Sequence, residues 1–130
     1  MITNKIRHKI TLWKLRGSNY LCPICEKGFK TLLPGGPSRR PLALCPNCHS
    51  LERHRFLWLM LKKFWKEGEL CNRGKLLHFA PEPCLAKKFK KLFDYLSADL
   101  DPRFAMMAMD ISDIKFPDES FDVIICNHIP

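Results

Sequence analysis

YLSADLDPRFAMMAMDISDIKFPDESFDVIICNH, from Tyr95 to His128, decides how this chain folds. One short apolar run ends in Asp99 and a second in Asp110. A third, Phe121 to Cys126, is bounded by charge before it and polar residues after it. Short runs rich in β-branched and apolar residues, closed by turn formers, are the pattern of buried parallel strands. In open α/β sheets, ligands sit beyond the carboxyl ends of such strands. A carboxylate there can accept both hydroxyls of a ribose, and a second can accept an exocyclic amine. The stretch therefore predicts a nucleoside-binding sheet edge.

Upstream, Lys75 to Phe79 (KLLHF) reads as a further strand. The loop Ala80-Pro81-Glu82-Pro83 and a basic helix, Cys84 to Phe93, follow it. A strand, a tight loop and a helix start bring backbone N–H groups together where a ligand can meet them.

In this combination and order the segment resembles motifs of the class I S-adenosylmethionine-dependent methyltransferases, in particular the type 11 group. The resemblance implies that Asp99 holds the cofactor ribose and that Asp110, followed by Ile111, meets the adenine. It also implies that Cys126, Asn127 and His128 fall at the end of the fourth strand, facing cofactor and substrate. The loop after the first strand departs from the family pattern. His78 stands where the acid usually lies, Ala80 where the first glycine lies, and Glu82 near a later one. A missing glycine removes freedom for positive φ. HFAPEPCLAKKF, with the SLERHR segment and the cysteines before it, looks like a type 11 subgroup that carries this altered loop. Glu82 then either replaces the usual acid, accepting from the cofactor's amino group, or is a first-turn residue favoured by the helix dipole. The implied cofactor residues are His78, Ala80, Glu82, Asp99, Asp110, Ile111 and Asn127.

The front of the chain carries a different signal. Cys22-Pro-Ile-Cys25 and Cys45-Pro-Asn-Cys48 are two C-x2-C knuckles separated by 19 residues. Each brings two thiols to one side of a tight turn, and four thiolates make the tetrahedral shell that structural zinc prefers. A redox pair would stand alone at a helix start after a strand. A disulfide framework would need an oxidising compartment. The expectation is a zinc ribbon holding structural Zn2+, with Cys71, Cys84 and Cys126 left as unpaired thiols. A closed site of this kind does no chemistry.

HSLERHRFLWLMLKKFW, directly after the ribbon, reads as a helix with Ser50 as its N-cap. Its apolar middle, Phe56 to Leu61, argues for burial between ribbon and sheet. Before the ribbon, Ile2, Ile6, Ile10 and Trp13 recur at helical spacing and predict a docked amphipathic helix. The chain thus divides into an N-terminal helix (1–18), a zinc ribbon (19–50), a connecting helix (51–72) and a partial Rossmann-like domain (73–130). The fold class is α/β, half of a methyltransferase sheet in strand order 3-2-1-4 preceded by the ribbon. The family sheet continues past strand 4, so a C-terminally truncated domain is expected. Its bare fourth strand would be a hazard that favours self-association or a completing partner.

The 130 residues are 46% hydrophobic and 27% charged, an ordinary globular balance. No apolar run reaches the ~20 residues of a membrane span. The N-terminus lacks a secretory core, so a cytoplasmic location is expected. The net charge of +9 is uneven: residues 1–66 hold 14 Lys and Arg against 2 acids, and residues 67–130 hold 8 against 11. A basic front half fits an anionic partner such as nucleic acid, or simply keeps a small domain in solution. No nucleophile–base pair is visible, the methyl acceptor is not legible, and no residue is assigned a catalytic role. The main expectation is a methyltransferase's cofactor-binding half. A non-catalytic zinc-ribbon module that binds nucleic acid or protein is the alternative, and a degenerate remnant is a third reading.

Overall fold

The computed structural model describes residues 3–70 and 73–127. Ile2, Cys71 and His128, named above, lie outside them. The chain divides into two compact units, Met1–Met60 and Leu61–Pro130.

The first unit opens with α1 (Asn4–Leu15), whose N-terminus is capped by the Thr3 hydroxyl accepting from the Ile6 amide at 3.4 Å. Two antiparallel hairpins follow, β1 (Arg16–Leu21) with β2 (Gly28–Phe29), and β3 (Leu33–Gly35) with β4 (Arg40–Leu44). Leu21 pairs with Gly28, so the first cysteine knuckle is the turn of the first hairpin; the second knuckle directly follows β4. The two knuckles repeat one backbone device. In each, the amide four residues after the first cysteine donates to that cysteine's carbonyl, Glu26 to Cys22 at 2.8 Å and His49 to Cys45 at 3.0 Å. Glu26 and His49 both have positive φ, 61° and 58°. That conformation aims both thiols of a knuckle to one side, and it is strained for any residue with a Cβ.

The docked face expected of α1 is absent: none of its residues is buried, and Ile6, Ile10 and Trp13 are 48%, 40% and 70% exposed. α2 (Glu52–Lys66) also departs from expectation. It is not buried all round. Leu51, His54, Trp58 and Leu61 form a single buried stripe at spacings of three and four, while Phe56 and Leu59 lie in solvent. Nor is Ser50 seen capping it. Leu51 precedes the helix, and its amide donates to His54 Nδ1 at 3.0 Å, the reach-back half of a capping box.

The second unit is built on a four-stranded sheet of β5 (Lys75–Phe79), β6 (Asp94–Asp99), β7 (Met107–Ala108) and β8 (Val123–Cys126), in the order β7-β6-β5-β8. All three pairings are parallel. Both faces of β5 are buried from Leu76 to Phe79, His78 included. One face, with Leu77 and Phe79, packs with Ala98 and Met109, and Phe116 and Phe121 lie against that cluster. The other carries His78, against which α3 (Pro83–Leu92) sets Phe89, ring centroids 5.3 Å apart. Truncating Leu77 to Ala in such a core would cost roughly 2–5 kcal/mol.

The connections decide which surfaces stay open. β5 reaches β6 through α3, but β6 reaches β7 through only the irregular residues 100–106. Parallel strands ordinarily need a connection of about a dozen residues, usually helical. The face of β6 that carries Tyr95 and Ser97 therefore borders a cavity of about 640 Å³, shared with Lys87, Lys90, Arg103 and Phe104. No helix among the described residues is long and apolar enough to cross a membrane.

Candidate functional site

Two groups of chemistry-bearing residues come together, one in each unit. In the first, the sulfurs of Cys22, Cys25, Cys45 and Cys48 all lie within 4.8 Å of one another. Cys22 and Cys48 are 3.6 Å apart, and Cys25 and Cys45 are 3.7 Å apart. Zinc–thiolate bonds of about 2.3 Å in a tetrahedron require sulfur–sulfur edges of about 3.8 Å. The four cysteines fit, and could hold a metal ion such as zinc. Their electrostatics point the same way. Contacts from Cys45 and then Cys48 hold the Cys22 thiol far below the ordinary thiol range, while the contact with Cys22 pushes Cys45 far up. The cluster thus favours a thiolate at Cys22 and disfavours one at Cys45 and Cys48; a divalent cation relieves that conflict.

The shell behind these sulfurs was missed by sequence reading. Ser50, fully buried, places its hydroxyl 3.2 Å from the Cys48 sulfur and 3.6 Å from that of Cys22. Arg55 then holds Ser50, donating to its carbonyl and hydroxyl, and donates also to the Ala43 carbonyl at 2.7 Å. No spacing rule marks these residues. The only available sign was a Ser and an Arg close after the last cysteine.

In the second unit, strand register gathers the other group. Phe79 pairs with Ala98 on one side and Cys126 on the other, so Ala80, Asp99 and Asn127 follow the sheet edge at one level. The Met109 amide donates to the Asp99 carbonyl at 2.9 Å, which brings Asp110 and Ile111 to the same edge. Phe79, Ala80, Asp99, Leu100, Met109, Asp110 and Ile111 line one cavity of about 350 Å³. Small-molecule sites run from roughly 300 to 1,000 Å³. The lining combines apolar faces with two carboxylates, which accept hydrogen bonds.

Each carboxylate also braces its own loop. Asp99 Oδ1 accepts from the Asp101 amide at 3.0 Å. Asp110 Oδ1 accepts from the Ser112 amide at 2.8 Å and its hydroxyl at 2.7 Å, and these bonds hold the Asp110 carboxyl below its usual range. Loop bracing thus fixes the direction of both side chains and occupies one oxygen of each. Asn127 Nδ2 is buried and has no hydrogen-bond partner among the described residues.

His78 and Glu82 do not line this cavity. His78 is fully buried on the α3 face, with Nε2 2.9 Å from Glu82 Oε2 and Nδ1 3.0 Å from the Tyr95 hydroxyl. Glu82 occupies the N-cap position of α3, and its side chain makes no capping bond there. Between them, Ala80 turns the chain with φ of +47°. Asp122, which sequence reading placed in the fourth strand, sits one residue before β8, at the far end of the sheet. Its Oδ2 accepts from the Lys75 amide at 2.7 Å.

No family model matches this chain, and neither a curated protein nor a solved structure is found similar to it.

Proposed function

We propose that the second unit binds S-adenosylmethionine, as the cofactor-binding part of a Rossmann-like class I methyltransferase sheet, and that the four cysteines of the first unit hold a structural zinc ion. One observation carries the cofactor reading. Four of the residues that the sequence resemblance implicates, Ala80, Asp99, Asp110 and Ile111, line a single cavity at the carboxyl edge of a parallel sheet.

In this reading the free oxygen of Asp99 accepts from the ribose and Asp110 from the adenine amine. Phe79, Leu100 and Met109 supply the apolar walls, and Asn127 Nδ2 supplies a donor at the neighbouring strand end. Ala80 admits the ligand closely because its side chain is a single methyl. His78 and Glu82 shape the loop from behind. The bound cofactor supplies an electrophilic methyl on a sulfonium, whose transfer depends mainly on alignment of the acceptor. The residues assigned here bind and orient; none is assigned as an acid or base. The zinc site would have Cys22, Cys25, Cys45 and Cys48 as ligands, with the Ser50 hydroxyl behind the Cys48 and Cys22 sulfurs able to donate its one proton to a bound thiolate, fixing the ribbon's two knuckles.

Calorimetric titration of the zinc-loaded chain with S-adenosylhomocysteine tests the reading. Saturable binding that Asp99→Ala abolishes, in a variant that still unfolds cooperatively, is the expected result. No heat of binding from a folded, zinc-containing chain would remove the cofactor assignment.

A further inference from the structure

Trp13 is 70% exposed, the largest aromatic surface that α1 presents. It does not stand alone. Lys9, Leu12, Trp13, Arg16, Lys27 and Phe29 line a groove of about 540 Å³ between α1 and the first hairpin. Three cations and two aromatic rings share that lining, and no carboxylate does. Lys27 Nζ donates to the side-chain oxygen of Asn47 at 3.3 Å, a neutral partner that leaves its charge uncompensated. The surrounding surface has the same sign. Residues 1–60 contain eleven Lys and Arg and two acids, and one of those acids, Glu52, is already paired with Arg40 at 3.0 Å.

We propose that this groove binds single-stranded nucleic acid, with Trp13 as a stacking platform and Lys9, Arg16 and Lys27 on the backbone phosphates. Charge complementarity selects a polyanion, since the three cations come from different segments and face one channel. The exposed indole selects a strand whose bases are free to stack, because a duplex keeps its base faces covered. A lipid surface fits less well. Ile6, Ile10 and Trp13 are spaced for one helix face, but sinking the indole would draw Lys9 and Arg16, which share its groove, toward the apolar phase. In the linear sequence these residues are scattered over nineteen positions, so no alternation of aromatic and basic residues is visible there. This site belongs to the first unit, and it stands or falls independently of the cofactor cavity.

The test is fluorescence anisotropy of a labelled oligothymidylate titrated with the zinc-loaded full chain over a range of salt. The expected slope of log K against log salt is about −2, from three phosphates at roughly 0.7 each. Trp13→Ala should weaken binding by about tenfold or more at unchanged slope, and Trp13→Phe should restore most of it. Lys27→Ala should flatten the slope by about 0.7. Trp13 is exposed, so its variants keep the fold, and retained zinc content checks that they do. The proposal is overturned by unchanged affinity in Trp13→Ala, by duplex binding as tightly as the single strand, or by binding only to phosphatidylserine vesicles.

Discussion

His78 Nε2 lies 2.9 Å from Glu82 Oε2, across the loop that leaves the first strand of the parallel sheet. A carboxylate can only accept, so Nε2 carries the proton. Nδ1 lies within hydrogen-bond reach of the Tyr95 hydroxyl, 3.0 Å away. A buried imidazole thus has both nitrogens satisfied, and the loop containing Ala80 is tied to the second strand. The position that would carry an acid in the resembled family here carries a buried histidine held between Glu82 and Tyr95.

Removing the carboxylate should therefore cost stability. Glu82→Ala leaves the buried His78 N–H without this acceptor, at about 1–3 kcal/mol. Glu82→Gln keeps an acceptor at the same reach and should lose clearly less. Urea unfolding of both variants decides the matter. If Glu82→Ala matches the parent, the pair does not hold the loop. If Glu82→Gln weakens S-adenosylhomocysteine binding with stability intact, Glu82 touches the cofactor after all.

Tyr95 makes the same triad pH-sensitive on the alkaline side. Burial pushes its hydroxyl from the ordinary 10.0 up to about 12. Between those values the unfolded chain releases the proton while the folded chain retains it, so unfolding gains in that window. The contribution is complete below pH 10 and is lost as pH rises towards 12. Tyr95→Phe has no proton to lose. The difference in denaturation midpoint between parent and variant should shift in the variant's favour from about pH 10 upward. A pH-independent difference would refute the assignment.

Ala80 has φ of +47° where the resembled loop would carry glycine. An Ala side chain in that region is strained, and relieving it outweighs the ~0.4–1 kcal/mol of unfolded-state entropy that glycine adds. Ala80→Gly should therefore stabilise the chain modestly, by about 0.5–1 kcal/mol. It should also tighten S-adenosylhomocysteine binding, since Ala80 lines the cavity. A destabilised variant would mean that the Ala80 methyl packs usefully against its neighbours.

What could be read from the sequence follows the range of the interactions involved. The cysteine knuckles were legible because four thiols at fixed spacing have few other uses. The place of Asp99 and Asp110 at the carboxyl edge of the sheet was legible because each closes an apolar run. The exposure of α1 was not, because Ile6, Ile10 and Trp13 show a spacing that is the same whether or not a partner covers it. The single buried stripe of α2 was hidden by its composition, since Phe56 and Leu59 are as apolar as Trp58 and Leu61. Tyr95 and His78 meet only through strand pairing, and Arg55 reaches Ala43 twelve residues back. Contacts of that kind leave no local periodicity to find.

Arg55 gives the most specific test of the ribbon. Its guanidinium reaches the Ser50 carbonyl, the Ser50 hydroxyl and the Ala43 carbonyl together. Ser50 in turn sets the hydrogen bonds to Cys22 and Cys48. Lysine keeps the charge but presents a single ammonium, which cannot span both carbonyls. Groups behind metal ligands typically change metal affinity by about 10–100-fold. Arg55→Lys should therefore surrender zinc to a chromogenic chelator at least tenfold more readily than the parent, with one equivalent released from each. Ser50→Ala should fall between them, because it loses the hydroxyl contacts but keeps the Arg55 bonds to both carbonyls. Cys45→Ala should bind no zinc tightly and lose the cooperative unfolding of the first unit, because a structural zinc contributes folding free energy directly. Equal zinc retention by Arg55→Lys and the parent would show that the knuckles position their thiols without help, through the strained turns at Glu26 and His49.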